Sequence, residues 1–83
     1  MSPSVPDHSI GDLTLGTYLR HRGHKILKID RDGQRSIFVF AATPALEADI
    51  LAFYNGEARV EPLAFTELLR NLKAAAMAQV DRR

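Results

Sequence analysis

The spacing of apolar positions divides this chain into a helix, two strands and two further helices. Leu15, Tyr18 and Leu19 recur at helical spacing, and either Ser9 or Asp12 can serve as the N-cap. Ser9-x-x-Asp12 is also a partial capping box, with Asp in the place of Glu. Arg20 and Arg22 fall in the last turn, where the helix dipole favours cations, and Gly23 stops the helix as its C′ residue.

Helical spacing then gives way to two short runs rich in β-branched and aromatic residues, Lys25 to Ile29 and Ser36 to Phe40. Asp30-Arg31-Asp32-Gly33-Gln34 lies between them, and its Asp-Gly pair is a strong hairpin signal. Alternation along the second run points Ile37 and Val39 to one face and Phe38 and Phe40 to the other. Both faces are therefore apolar and both need a cover. The helices supply one; a short third strand, the N-terminal segment or another subunit must supply the other.

Thr43-Pro44 opens a second helix, with Thr as N-cap and Pro at the first helical position. Leu46, Ile50, Phe53 and Tyr54 form its apolar stripe and Asn55-Gly56 ends it. Residues Glu57 to Val60 read as a short extended segment. Pro62 opens the last helix, whose stripe is Phe65, Leu68, Leu69, Leu72, Ala75 and Ala76. The expected architecture is a small single α+β domain: helix, β-hairpin, helix, short strand, helix. Residues 9–80 form that domain, after a disordered lead-in at 1–8 and before a frayed tail at 81–83.

Eighty-three residues make one domain near the lower size limit for independent folding. With no cysteine, neither a disulfide nor a thiolate metal site can brace it, so apolar packing carries stability. A domain this small keeps little stability in reserve, which makes self-association a live expectation. No apolar run approaches the roughly 18 residues of a membrane span, and MSPSVPDHS lacks the features of a signal peptide. The expectation is a soluble, cytoplasmic protein without a membrane partner.

Charge changes the picture locally. The formal net charge of +1 argues against binding through bulk charge alone. Six cations nevertheless fall between positions 20 and 35: Arg20, Arg22, Lys25, Lys28, Arg31 and Arg35, against only Asp30 and Asp32. From Thr43 to Glu67 the balance reverses, with Glu47, Asp49, Glu57, Glu61 and Glu67 facing Arg59. The chain is bipolar rather than basic.

Candidate chemistry is sparse. His21 and His24 are separated by the helix-ending Gly23 and His8 lies in the lead-in, so a three- or four-ligand zinc site is not expected. No nucleophilic cysteine, Gly-x-Ser-x-Gly elbow or Gly-rich phosphate loop is present. Glu47 and Asp49 diverge on their helix and read as a solvated acidic face. No catalytic residue, metal ligand or cofactor is therefore expected, and the protein reads as non-enzymatic. Phe38-Val39-Phe40 lacks the Gly-aromatic lead of an RNA-recognition strand and reads as core. Tyr54-Asn55-Gly56-Glu57 offers good contact residues, but a helix C-cap and turn explain it fully.

The run of features resembles a family of short, uncharacterised bacterial and phage proteins, a domain of unknown function. The matching residues are Asp12-Leu13, Tyr18-Leu19, Gly23-His24-Lys25 and Phe38-Val39-Phe40, then Tyr54-Asn55-Gly56-Glu57-Ala58 and Val60. Pro62-Leu63, Phe65 and Leu69-Arg70-Asn71-Leu72-Lys73 complete the likeness, which runs from Gly11 to Ala74. Most of these positions are caps, turns and core, so the resemblance implies a shared small fold. Its phage association implies nucleic-acid or assembly roles.

Three functions follow as expectations. The first is a non-enzymatic module that binds DNA or RNA through Arg20, Arg22, Lys25, Lys28, Arg31 and Arg35. The second is a protein-interaction module, a homodimer or an adaptor in a larger assembly, which would cover the second apolar face of the hairpin. An inhibitor docking on another protein by its acidic helix is a third.

Overall fold

The computed structural model describes residues 7–33 and 35–81 and is an α+β domain. Its elements are β1 (Asp7–Ile10), α1 (Leu13–His21), β2 (Ile26–Asp32), β3 (Arg35–Ala41), α2 (Pro44–Tyr54) and α3 (Pro62–Asp81). The strands form one antiparallel sheet in the order β1-β3-β2.

The hairpin is longer and its connection tighter than the sequence pattern predicts. Pairing continues through Arg31↔Ser36 and closes at Asp32↔Arg35. Gly33, with φ 66°, takes the left-handed conformation that short hairpin connections need. Aspartate therefore ends the ladder rather than sitting in the loop. Near the other end, the register shifts between Ile26 and Lys28, a bulge that displaces Leu27.

The third strand comes from the chain's N-terminal side. Asp7 and His8, expected in the lead-in, pair with Ala41 and Phe40, while Ser9 and Ile10 pair with Val39 and Phe38. Four residues are too few to announce a strand by pattern, and this one exists because β3 offers an unpaired edge. Residues Glu57 to Val60, by contrast, form no strand. The remaining residues of the lead-in and of the tail lie outside those described, apart from Asp81, the last residue of α3.

Local chemistry sets the helix ends. Asp12 is the N-cap of α1, its Oδ1 accepting from the Thr14 N–H at 2.8 Å and the Leu15 N–H at 3.2 Å. Ser9, the other candidate cap, is in β1. Thr43 caps α2, accepting from the Leu46 N–H at 3.0 Å, and Pro44 follows. At the end of α2 the Glu57 N–H reaches back to the Ala52 carbonyl at 2.8 Å, with Gly56 in the left-handed region. Glu61 prepares the start of α3, accepting from the Leu63 and Ala64 N–H groups at 3.2 and 2.7 Å.

All three helices serve the sheet face that carries Phe38 and Phe40. Both phenylalanines are buried, with Ile10, Leu15, Tyr18, Leu19, Leu46 and Ala76 around them. Gly16 lets α1 approach: a β-carbon there would meet the Phe38 ring at 3.2 Å. Thr17 is fully buried, and its hydroxyl donates to the Leu13 carbonyl at 2.7 Å, so no polar atom is stranded. Helix α1 packs against both α2 and α3. Tyr18 and Phe53 bring α1 and α2 together with ring centroids 5.8 Å apart.

Candidate functional site

The hairpin alternates, and alternation decides where its cations point. Register places Lys28 opposite Val39, Asp30 opposite Ile37, and Asp32 opposite Arg35, all on the face away from the helices. Arg31 pairs with Ser36 and belongs to the other face. Lys28, Arg31 and Arg35 thus do not form one row. The face that carries Lys28 and Arg35 also carries two aspartates.

Several cations are already engaged. Lys28 Nζ lies 3.6 Å from Asp30 Oδ2, an exposed pair of small energetic weight. Arg31 donates to the Gly33 carbonyl at 2.8 Å, bracing the turn. Arg22 donates through Nε to Asp49 Oδ1 at 3.3 Å. Arg20, Arg22 and Lys25 all lie around the connection from α1 to β2, whereas Arg31 and Arg35 are near the hairpin tip. Five strand residues, Ile26 to Asp30, lie between Lys25 and Arg31, which places them about 20 Å apart at strand rise. The six basic residues are split between two ends and two faces.

Asp49 does not belong to a solvated acidic face. It accepts from Arg22 and also approaches His24, whose Nε2 lies 2.7 Å from Asp49 Oδ2, each side chain only 16% exposed. The helix turn points Asp49 inward while Glu47 remains exposed. His21 faces elsewhere, packing edge-on against Phe65 with centroids 6.3 Å apart. The structure therefore separates His21 from His24. Charge patterning offered a hint of the Asp49 cluster only in retrospect, since its members are 25 and 27 residues apart.

Phe38 and Phe40 are core, so neither ring can stack on a base. The second apolar face proves largely polar: β3 is central, and Val39, flanked by Ser9 and Lys28, is buried within the sheet.

Exposed apolar surface lies instead at the junction of α2 and α3. Among the eleven residues of α2 only Glu47 and Asp49 are charged, yet Leu46 alone is fully buried. Leu51 is 62% exposed, Tyr54 67% and, at the start of α3, Leu63 79%. Val60, in the connection, is also exposed. A depression beside Leu63 is bordered by Glu61, Glu67 and Arg70. In α3, Leu72 and Ala76 are buried and Phe65, Leu68 and Leu69 half-buried, but Ala75 is exposed. The stripe read from the sequence is covered only in part.

Fold and surfaces together define a small α+β domain with a buried aromatic sheet face and an exposed apolar helix junction. The chain belongs to the family described as a domain of unknown function (DUF5659), whose model matches residues 6–78. No curated protein and no solved structure matches it. No described helix is long and apolar enough to cross a membrane.

Proposed function

We propose that this protein is a non-enzymatic protein-interaction module that pairs with a second copy through the α2–α3 junction. The observation carrying this reading is α2: a helix apolar nearly all round belongs in an interior, yet Leu51 and Tyr54 are more than half exposed. Leu63, at the start of α3, is exposed as well.

The surrounding charge favours self-pairing. Glu57, Glu61 and Glu67 share the region with Arg59 and Arg70, so one patch holds both signs. Two-fold pairing brings each patch onto its own copy, and acids of one can face arginines of the other. Light scattering across a concentration series tests the reading. A mass rising from monomer to dimer supports it; a monomer at millimolar concentration overturns it.

Contact with DNA or RNA is a second reading. Its support is that Arg20, Arg22 and Lys25 remain exposed together around the α1–β2 connection. Lys28, Arg31 and Arg35 would contribute from the hairpin only if a strand wrapped the sheet edge. Mobility-shift titration at low salt checks it, with no retardation counting against it.

A further inference from the structure

The exposed side of α2 repeats with a spacing that suits a second copy of the same helix. Pro44, Ala48, Leu51 and Asn55 succeed one another at intervals of four, three and four residues, and all are exposed. On a helix that spacing draws one seam, the line along which two helices pack. Its central members differ in bulk: Leu51 is large and Ala48, one turn before it, is small. Leu46, Ile50 and Phe53, which pack on the core, lie on the opposite side of the helix.

The seam reads the same from either end when two copies run antiparallel. A two-fold axis midway between Ala48 and Leu51 sets Leu51 level with the partner's Ala48 and Asn55 level with the partner's Pro44. A large side chain then meets a small one in both central layers, and the helix dipoles oppose each other favourably. Glu47 is the one charged residue on this side of α2, since Asp49 is held by His24 and Arg22. Tyr54 shares the flank of Glu47 and, in the antiparallel pair, comes within about 3 Å of the level of the partner's Glu47. Side chains lean toward their own helix N-terminus, which tilts the phenol and the partner's carboxylate toward each other. The only charge on the face thereby gains a donor from the second copy.

We infer that the second copy docks α2 against α2 in an antiparallel pair, with Leu51 seated on the partner's Ala48 and the Tyr54 hydroxyl donating to the partner's Glu47. This inference rests on the self-pairing proposed above and adds the contact that fixes its geometry. Two central layers make a short seam, so the dimer forms and dissociates readily.

Cross-linking through introduced cysteines tests it, because the chain has none of its own. Pro44→Cys and Asn55→Cys chains are mixed and oxidised, and each is also oxidised alone. In the antiparallel pair these two positions face each other across the seam. Like positions stand about 16 Å apart along the helices, beyond the reach of a disulfide. The mixture should therefore form a disulfide dimer at least about tenfold faster than either chain alone. Ala48→Cys, beside the axis, should cross-link to its own copy, which keeps the test independent of the two helix-end substitutions. Sedimentation equilibrium of the unaltered chain, run alongside, separates this inference from the reading it rests on. If the chain dimerises but either end variant links to itself as fast as the mixture, the antiparallel seam is overturned and self-pairing stands. The same holds if it dimerises and none of these combinations links. A monomeric unaltered chain overturns both.

Discussion

His24 Nε2 and Asp49 Oδ2 stand 2.7 Å apart and tie the α1–β2 connection to the middle of α2. Helix α2 has few other anchors: Leu46 is its one fully buried residue, with Ile50 and Phe53 half-buried. Holding α2 in place by a polar pair leaves its apolar residues Leu51 and Tyr54 facing outward. The pair therefore bears on both the fold and the proposed surface.

Asp49→Ala should destabilise the domain by about 1–3 kcal/mol, because it strands the His24 ring and frees Arg22. Thermal unfolding checks this, with an expected loss of about 4–8 °C per kcal/mol in a chain of this size. Combining Asp49→Ala with His24→Ala should cost less than the two single changes added together. Strict additivity would mean the pair does not couple the two elements.

Gly16 sets the distance between α1 and the sheet. Gly16→Val should cost about 1–3 kcal/mol through overpacking against Phe38, read as a lowered denaturation midpoint. Gly16→Ala should lie closer to neutral, since helix propensity gains roughly what the 3.2 Å contact loses.

Asp12 is the cap on which the start of α1 depends. Asp12→Ala should lower stability by about 1 kcal/mol, whereas Ser9→Ala should change it by less than about 0.5 kcal/mol. Chemical denaturation of the two variants side by side distinguishes the cap from the neighbouring strand residue.

Much of this fold could be read from local signals. Thr43-Pro44, Asn55-Gly56, Gly23 and the Asp-Gly pair mark boundaries because capping and turn formation act within four or five residues. The alternation that placed Phe38 and Phe40 in the core is equally local. Strand β1 escaped because Asp-His-Ser-Ile has no strand pattern apart from the β3 edge that pairs with it. The Asp49 cluster escaped for a similar reason, since a contact across 25 residues leaves no periodic trace. The six cations looked like one group because adjacency in sequence hides the two-residue alternation of a strand. Their division between Arg31 on one face and Lys28 with Arg35 on the other follows from register alone.

Charge reversal at the hairpin should leave the fold intact, because Lys28 and Arg35 are exposed. Lys28→Glu with Arg35→Glu is expected to change stability by less than about 1 kcal/mol. If the second functional reading holds, Arg20→Glu with Lys25→Glu should weaken low-salt DNA or RNA binding more than the hairpin pair does. Mobility shift on the two double variants makes that comparison directly.

Sedimentation equilibrium of the unaltered chain beside Leu51→Glu with Leu63→Glu tests the central claim most directly. Both leucines are exposed, so the substitutions should leave the monomer folded by circular dichroism. The account predicts reversible dimerisation of the unaltered chain, with the variant weakened at least about tenfold or monomeric. A monomeric unaltered chain, or a variant that dimerises equally well, would contradict it.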